Sequence, residues 1–331
     1  MANINISDRA RKLYADALIW DDHSGFDPDP KVDLNVLGQW KRAGVNYLSV
    51  NVGYDVVDWR RSLRALAAYR AWLEKHPDDY LLVAQASDIE RAKRDGKLAV
   101  AFDLEGMNAL DGDVNMVSTY YALGVRQMLF AYNRNNLAGG GCHDVDVGLS
   151  DFGRAVVAEM NRVGMLVDCS HSAYRTTMEA MELSTAPVIF SHSNATAVWR
   201  HGRNITDDQM KACARTGGVI GINGIGIFLG DNDISSETFV NHIAHVAEVA
   251  GPEHVGIALD YAFDADGIEE LVGDHSDYWP KSEYPGGIGR YVAPEQLPEI
   301  VEVMLRRGFS DAEVTGIMGG NFLRVAKAVW K

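Results

Sequence analysis

Short apolar runs recur along the chain at 17–20, 47–52, 98–104, 125–131, 165–169, 188–191, 218–222 and 255–259. Near-continuous apolar character over four to seven residues is the pattern of parallel strands covered on both faces. Helical patterns fill most of the gaps. Ser150 precedes an amphipathic run through Val156, Val157, Met160 and Val163, and 172–184 reads as the crossover between the fifth and sixth strands. Ser87-Asp-Ile-Glu90 and Ser310-Asp-Ala-Glu313 have the spacing of capping boxes. Eight βα repeats without a Pro/Gly/Ser-rich linker predict one (β/α)8 barrel spanning 1–331. An open doubly wound sheet is the alternative, but it requires a glycine-rich phosphate turn after an early strand. The one glycine cluster, Gly139-Gly140-Gly141, lacks that spacing and reads as a flexible loop.

Composition narrows the class. With 331 residues, 47% apolar and 23% charged, the chain has the make-up of a soluble globular protein. A net charge of −15 argues against nucleic acid or an anionic membrane as partner, since both attract basic surfaces. Three cysteines, Cys142, Cys169 and Cys213, form no CxxC pair and suit reduced thiols in a cytoplasmic protein. The first residues carry no basic segment followed by an apolar one, and no apolar stretch approaches 18 residues. Neither a signal peptide nor a membrane span is expected.

In a barrel the chemistry gathers at the C-terminal ends of the strands. Here those ends read Asp21-Asp22-His23-Ser24-Gly25, Asp103-Leu-Glu105-Gly106, Tyr132-Asn133, His171, His192 and Asp260. A lone histidine at a strand end is usually a satisfied polar residue. Two on neighbouring βα units, with a third histidine and two carboxylates, form a ligand set suited to zinc or a similar divalent ion. Such an ion makes water a nucleophile near neutral pH, and a carboxylate such as Asp260 can move its proton. The irregular stretch 263–294, rich in Asp, Gly and Pro, follows the eighth strand and reads either as a lid or as a surface insertion. His242 and His245, three apart on a predicted helix, read as a solvated face, while His76, His143, His201, His254 and His275 carry no motif.

Several stretches together carry a resemblance: Leu104-Glu-Gly106, Gly148-Leu-Ser-Asp-Phe-Gly153, Met160-Asn-Arg-Val-Gly164, Val167-Asp-Cys-Ser-His171, Pro187-Val-Ile-Phe-Ser-His192, Arg203-Asn204, Val255-Gly-Ile-Ala-Leu-Asp260 and Gly319-Gly-Asn-Phe-Leu-Arg324. In this order they resemble the membrane (renal) dipeptidase family of amidohydrolase-type barrels, over nearly the whole chain. The resemblance implies a two-zinc barrel that hydrolyses dipeptides and similar small amides. It implies Glu105 as the bridging carboxylate, His171 and His192 on the second metal, and Arg203 on the substrate carboxylate. Asp260 would be the proton shuttle, and a homodimer is implied as well.

Two positions depart from that family. Its first-strand motif is Asp-x-His-x-Asp, and Gly25 stands where the last aspartate would be. Residues two apart share a strand face, so Asp21 and His23 remain candidate ligands and Asp22 should point away. Asp27 or Asp29 would have to loop back to complete the first site. Tyr132 stands where the family has a substrate-contacting histidine; its hydroxyl can donate to a developing oxyanion. The expectation is therefore one tightly held divalent ion, zinc by ligand type, on His171, His192 and Glu105, with the site near His23 weak or empty. The expected function is metal-dependent hydrolysis of a dipeptide or similar small amide with a free carboxylate. Two alternatives stay open: a single-metal hydrolase of a non-peptide C–N bond, and a barrel that binds a small ligand without catalysis.

Overall fold

The computed structural model describes residues 4–262 and 264–331. Its strands are β1 (Trp20–Ser24), β2 (Tyr47–Tyr54), β3 (Tyr80–Leu82), β4 (Leu98–Glu105), β5 (Val125–Leu129), β6 (Leu166–Asp168), β7 (Val188–Ile189), β8 (Ile220–Asn223) and β9 (Val255–Ala258). All named pairings are parallel, in the order β1-β2-β4-β5-β6-β7, with β8 beside β9. Two seams close the ring. Phe190 bridges Ile220 between β7 and β8, and the amide of Asp260 donates to the carbonyl of His23 at 3.1 Å between β9 and β1. The expected eight-stranded barrel is therefore present, with β3 added against the start of β4. That strand has only three residues, too few to stand out as an apolar run.

Side chains alternate along β4 as its period of two dictates. Ala99 and Ala101 face the barrel interior with Trp20, Tyr47, Leu166 and Ile189, whereas Val100, Phe102 and Leu104 join the outer core beneath the helices. The C-terminal helix, Asn321–Val329, closes the lower end with Phe322 and Trp330, and Trp20 stacks between Tyr47 and Phe322 at 3.8 and 5.7 Å. Gly256 is what admits this plug, because a Cβ there would fall 2.2 Å from the Phe322 ring.

Several sequence expectations shift. The first strand is not 17–20 but Trp20–Ser24, since its buried polar residues hide it from an apolar count. Ser310 forms its capping box, and Ser150 caps the helix Asp151–Val163. Ser87 forms none: Ala86 holds the cap position, and Asp88 Oδ2 instead accepts from the amides of Ala84 and Gln85. Gly139-Gly140-Gly141 is buried and pinned rather than flexible. Thr176 Oγ1 accepts from the Gly140 amide at 2.8 Å, and a Cβ on Gly141 would lie 2.2 Å from the Asn133 backbone. The stretch 263–294 is only partly irregular, since it contains the helix Ala265–Asp274; Phe263 lies outside the described residues. All three cysteines are unpaired. Among the described residues no helix is long and apolar enough to cross a membrane.

Candidate metal centre

At the C-terminal mouth the strand ends bring five ionisable side chains into one cluster. Glu105, at the end of β4, directs Oε1 at three imidazoles: 3.1 Å from His171 Nε2, 3.2 Å from His192 Nε2 and 3.5 Å from His23 Nε2. Asp260 follows β9 and sets Oδ1 3.5 Å from His23 Nε2. The Nε2 atoms of His171 and His192 lie 2.9 Å apart. Two triads, Glu105/His171/His192 and His23/His192/Asp260, could each hold an ion, and they share His192.

The far nitrogen of each ring decides where the protons sit. Asn133 Nδ2 donates to the Tyr278 carbonyl, which turns Oδ1 toward His171 Nδ1 at 2.7 Å; that nitrogen therefore donates. Ser191 Oγ gives its proton to Asp168 Oδ2 at 2.5 Å and so accepts from His192 Nδ1 at 2.7 Å. His23 Nδ1 faces Asp103 Oδ1 at 3.2 Å, and Asp103 is itself held by Ser49 and Asn51. With every Nδ1 facing an acceptor, three Nε2 atoms converge on Oε1, a buried oxygen with no hydrogen-bond donor. Lone pairs so close in a buried site repel unless a cation lies among them. Nitrogen and carboxylate donors, each oriented by an outer partner, fit a zinc-like divalent ion.

Electrostatics agree. Burial holds His171 and His192 well below the usual histidine range, which keeps them neutral as ligation requires. Burial works to lower His23 too, but Asp103, Glu105 and Asp260 outweigh it and raise it well above that range. A proton and a cation thus compete for its Nε2. Glu105 is pushed up to about 8, chiefly by burial, and burial also raises Asp260.

The backbone is locally strained at three of these positions. Asn133, His171 and Asp260 have φ of 61°, 60° and 51°, the left-handed region that non-glycine residues seldom occupy. Such conformations persist where surrounding contacts over-determine them, commonly at functional sites. For Asp260 one such contact is Asn223, which donates to Oδ2 at 2.9 Å and leaves Oδ1 facing His23.

The first strand needs correction. Two residues of β1, Asp22 and His23, oppose one of β2, Ser49, between the pairs Asp21/Leu48 and Ser24/Val50, so the period of two breaks there. Asp21 faces the helix layer, where Oδ2 accepts from Trp40 Nε1 at 2.8 Å and Oδ1 from the Leu259 amide at 2.7 Å; it is not a ligand. Asp22 accepts from Trp20 Nε1, is fully buried and belongs to neither triad. Asp27 pairs with Arg61, and Asp29 accepts from the Lys31 amide, so neither loops back. Gly25 does border the centre: a Cβ there would lie 3.5 Å from Asp260 Oδ1.

Tyr132 stacks its ring on His171 at 4.1 Å and meets Trp279 edge-on at 5.5 Å. Arg203 is buried, donates to the His192 carbonyl at 3.2 Å and lies 5.4 Å from the Phe228 ring, with Nε unpartnered. His242 is not on a solvated face. It is fully buried, accepting from the Ala195 amide and donating to the Leu229 carbonyl, while His245 meets Asp207. His143 contacts the Tyr284 hydroxyl at 2.9 Å. Sequence reasoning assigned no role to Asp168, Ser191, Asn133 or Asn223, whose one signal is their place at or just beyond strand ends.

A parallel barrel whose mouth gathers three oriented imidazoles, a glutamate and an aspartate defines a metal-dependent hydrolase type of centre. Comparison with known proteins names the family. The membrane dipeptidase family (peptidase family M19) matches residues 41–331, and the chain belongs to it. An uncharacterized dipeptidase of Schizosaccharomyces pombe is 32% identical over 291 residues, covering 85% of this chain and 65% of the relative; the chain thus spans about two thirds of that protein's length. A crystal structure of an amidohydrolase from Pseudomonas aeruginosa superposes with a TM-score of 0.88 at 27% identity, covering 97% of this chain and 99% of that one. A probable dipeptidase from the same organism shares the fold with a TM-score of 0.81 at 18% identity, covering 97% of each chain.

Proposed function

We propose that the protein hydrolyses a dipeptide or similar small amide bearing a free carboxylate, in a metal-dependent reaction. The carrying observation is the convergence of three imidazole Nε2 atoms on the donorless Oε1 of Glu105. His171, His192 and Glu105 would hold one divalent ion tightly, zinc by donor type, with His23 and Asp260 forming a weaker place beside it. When bound, such an ion supplies Lewis acidity, polarising the amide carbonyl and easing ionisation of water.

The chain's own residues do the rest. Asp260, fixed through Oδ2 by Asn223, keeps Oδ1 free to take the water proton. It then passes that proton to the departing nitrogen as the C–N bond breaks and a C–O bond forms. Arg203, with Nε unpartnered, suits the substrate carboxylate. Tyr132 shapes the cavity wall beside His171. Three unpaired cysteines suit a cytoplasmic enzyme.

Elemental analysis of purified protein, followed by assay against a panel of dipeptides and N-acyl amino acids, tests this reading. One tightly bound ion per chain and turnover of some member are expected. Asp260→Asn should retain the ion and bind substrate while losing about a hundred- to ten-thousand-fold in kcat. Unchanged turnover in Asp260→Asn removes the proton-shuttle role. Binding without hydrolysis by the unaltered, metal-loaded protein favours a ligand-binding barrel instead.

A further inference from the structure

The cavity above the centre has a chemical character that the metal reading leaves unused. Its base carries Glu105, His171 and Asp260, the ion-holding and proton-moving groups. Among the described residues that line it, no other carries a charge. The walls are instead uncharged and largely apolar or aromatic: Phe26, Trp279 and Ile288 are each 5% exposed or less and Val272 is 7% exposed, and Tyr54, Tyr132, Tyr284 and Tyr291 add neutral phenol rings. The Tyr284 hydroxyl, which could have offered a polar contact, is turned to His143. Gly25 contributes no side chain, and a Cβ there would press on Ala262 at 3.3 Å and approach Asp260. The cavity therefore keeps its width at Gly25, next to Asp260.

Resting on the hydrolase reading above, we infer that the acyl half of the substrate is a bulky, uncharged apolar or aromatic group, so that N-acyl amino acids are preferred to dipeptides with a free α-ammonium. If Arg203 takes the carboxylate of the amine half, the acyl half lies against these walls. An ammonium on that half would be desolvated with no carboxylate partner beyond the two already committed at the base, and such unpaired burial is heavily penalised. A phenyl or branched alkyl group meets no such penalty and removes apolar surface from water. The reaction consumes one water: its oxygen goes to the acyl carbon, giving a carboxylate, and both its protons leave on the nitrogen of the released amino acid as the C–N bond breaks.

The experiment compares 3-phenylpropanoyl-alanine with phenylalanyl-alanine, which differ only by the α-ammonium, using both enantiomers of alanine. The metal-loaded enzyme should favour the acyl compound at least tenfold in kcat/KM. Equal or better hydrolysis of the dipeptide overturns the inference and leaves the hydrolase reading standing. If neither these two nor any member of the panel above is cleaved, that reading fails, and binding followed by quenching of tryptophan emission decides the inference. Tighter binding of the acyl compound supports it; equal binding defeats it. Lysyl-alanine is the stringent control. An acid-lined hollow of about 400 Å³, carrying Asp27, Asp29 and Glu270, adjoins across Gly25 and Leu271, and a preference for the lysyl compound overturns the inference too. Val272→Asp should move the acyl-to-dipeptide ratio at least tenfold toward the dipeptide. Leu271→Asp, at a half-buried position, gives the same readout should Val272→Asp fail to fold.

Discussion

His192 is oriented by a buried chain in which Asp168 accepts from Ser191 and Ser191 accepts from the imidazole. Cutting that chain frees the Nδ1 proton to migrate and the ring to turn. Ser191→Ala should therefore weaken zinc affinity about 10- to 100-fold, with Ser191→Thr recovering much of it. Titration calorimetry of the metal-free protein reads this, and an unchanged affinity would mean packing alone orients the ring. His242 has a different task, joining the Ala195 amide to the Leu229 carbonyl. Burial holds its pKa down to about 4. The unfolded chain takes up this proton below about pH 6.5, whereas the folded protein resists it. The contribution to stability is thus complete above pH 6.5 and drains away as pH falls toward 4. Relative to His242→Gln, the unaltered protein should lose on the order of 3 kcal/mol across that window in urea unfolding. Parallel curves for the two proteins would contradict the assignment.

Elements differ in how far their ends are written locally. Ser310 and Ser87 begin the same Ser-x-x-Glu spacing, yet only Ser310 closes the reciprocal bonds with Glu313. At Ser87 the adjacent Asp88 captures the Ala84 and Gln85 amides first, and the helix starts one residue early. Ser310→Ala should cost about 1 kcal/mol and Ser87→Ala only a few tenths, as seen in denaturant midpoints. Equal losses would mean the two helices share one cap type. The bulge in β1 is a second element-scale device. It turns Asp21 out to Trp40 and brings His23 to the mouth, so side chains two apart no longer share a face.

At the scale of the molecule, the barrel is worked at one end and sealed at the other. The lower seal is Phe322, lodged where Gly256 leaves room and stacked on Trp20. Phe322→Ala should cost about 3–5 kcal/mol, lowering the melting temperature while zinc affinity stays close to the parent's. A matching loss of affinity would show that the seal also shapes the mouth. The upper end is tied through Asn133, which links His171 to the Tyr278 carbonyl and so couples a ring of the centre to the segment after β9.

The local sequence determined the repeat of strands and helices, because side-chain period and cap chemistry act over a few residues. It also marked His171, His192, Glu105 and Asp260, since a parallel strand's C-terminal end is recognisable wherever an apolar run stops at a polar residue. Tertiary structure alone decided the rest. Asp21 looked like a ligand until the Leu259 amide, 238 residues away, claimed it. His242 looked solvated until Ala195 and Leu229 closed over it. The tautomers of the three imidazoles, the sharing of His192 between two triads, and the apolar walls brought by Phe26, Val272 and Trp279 all depend on groups distant in sequence. Such contacts form only once the barrel has closed, and no short-range periodicity encodes them.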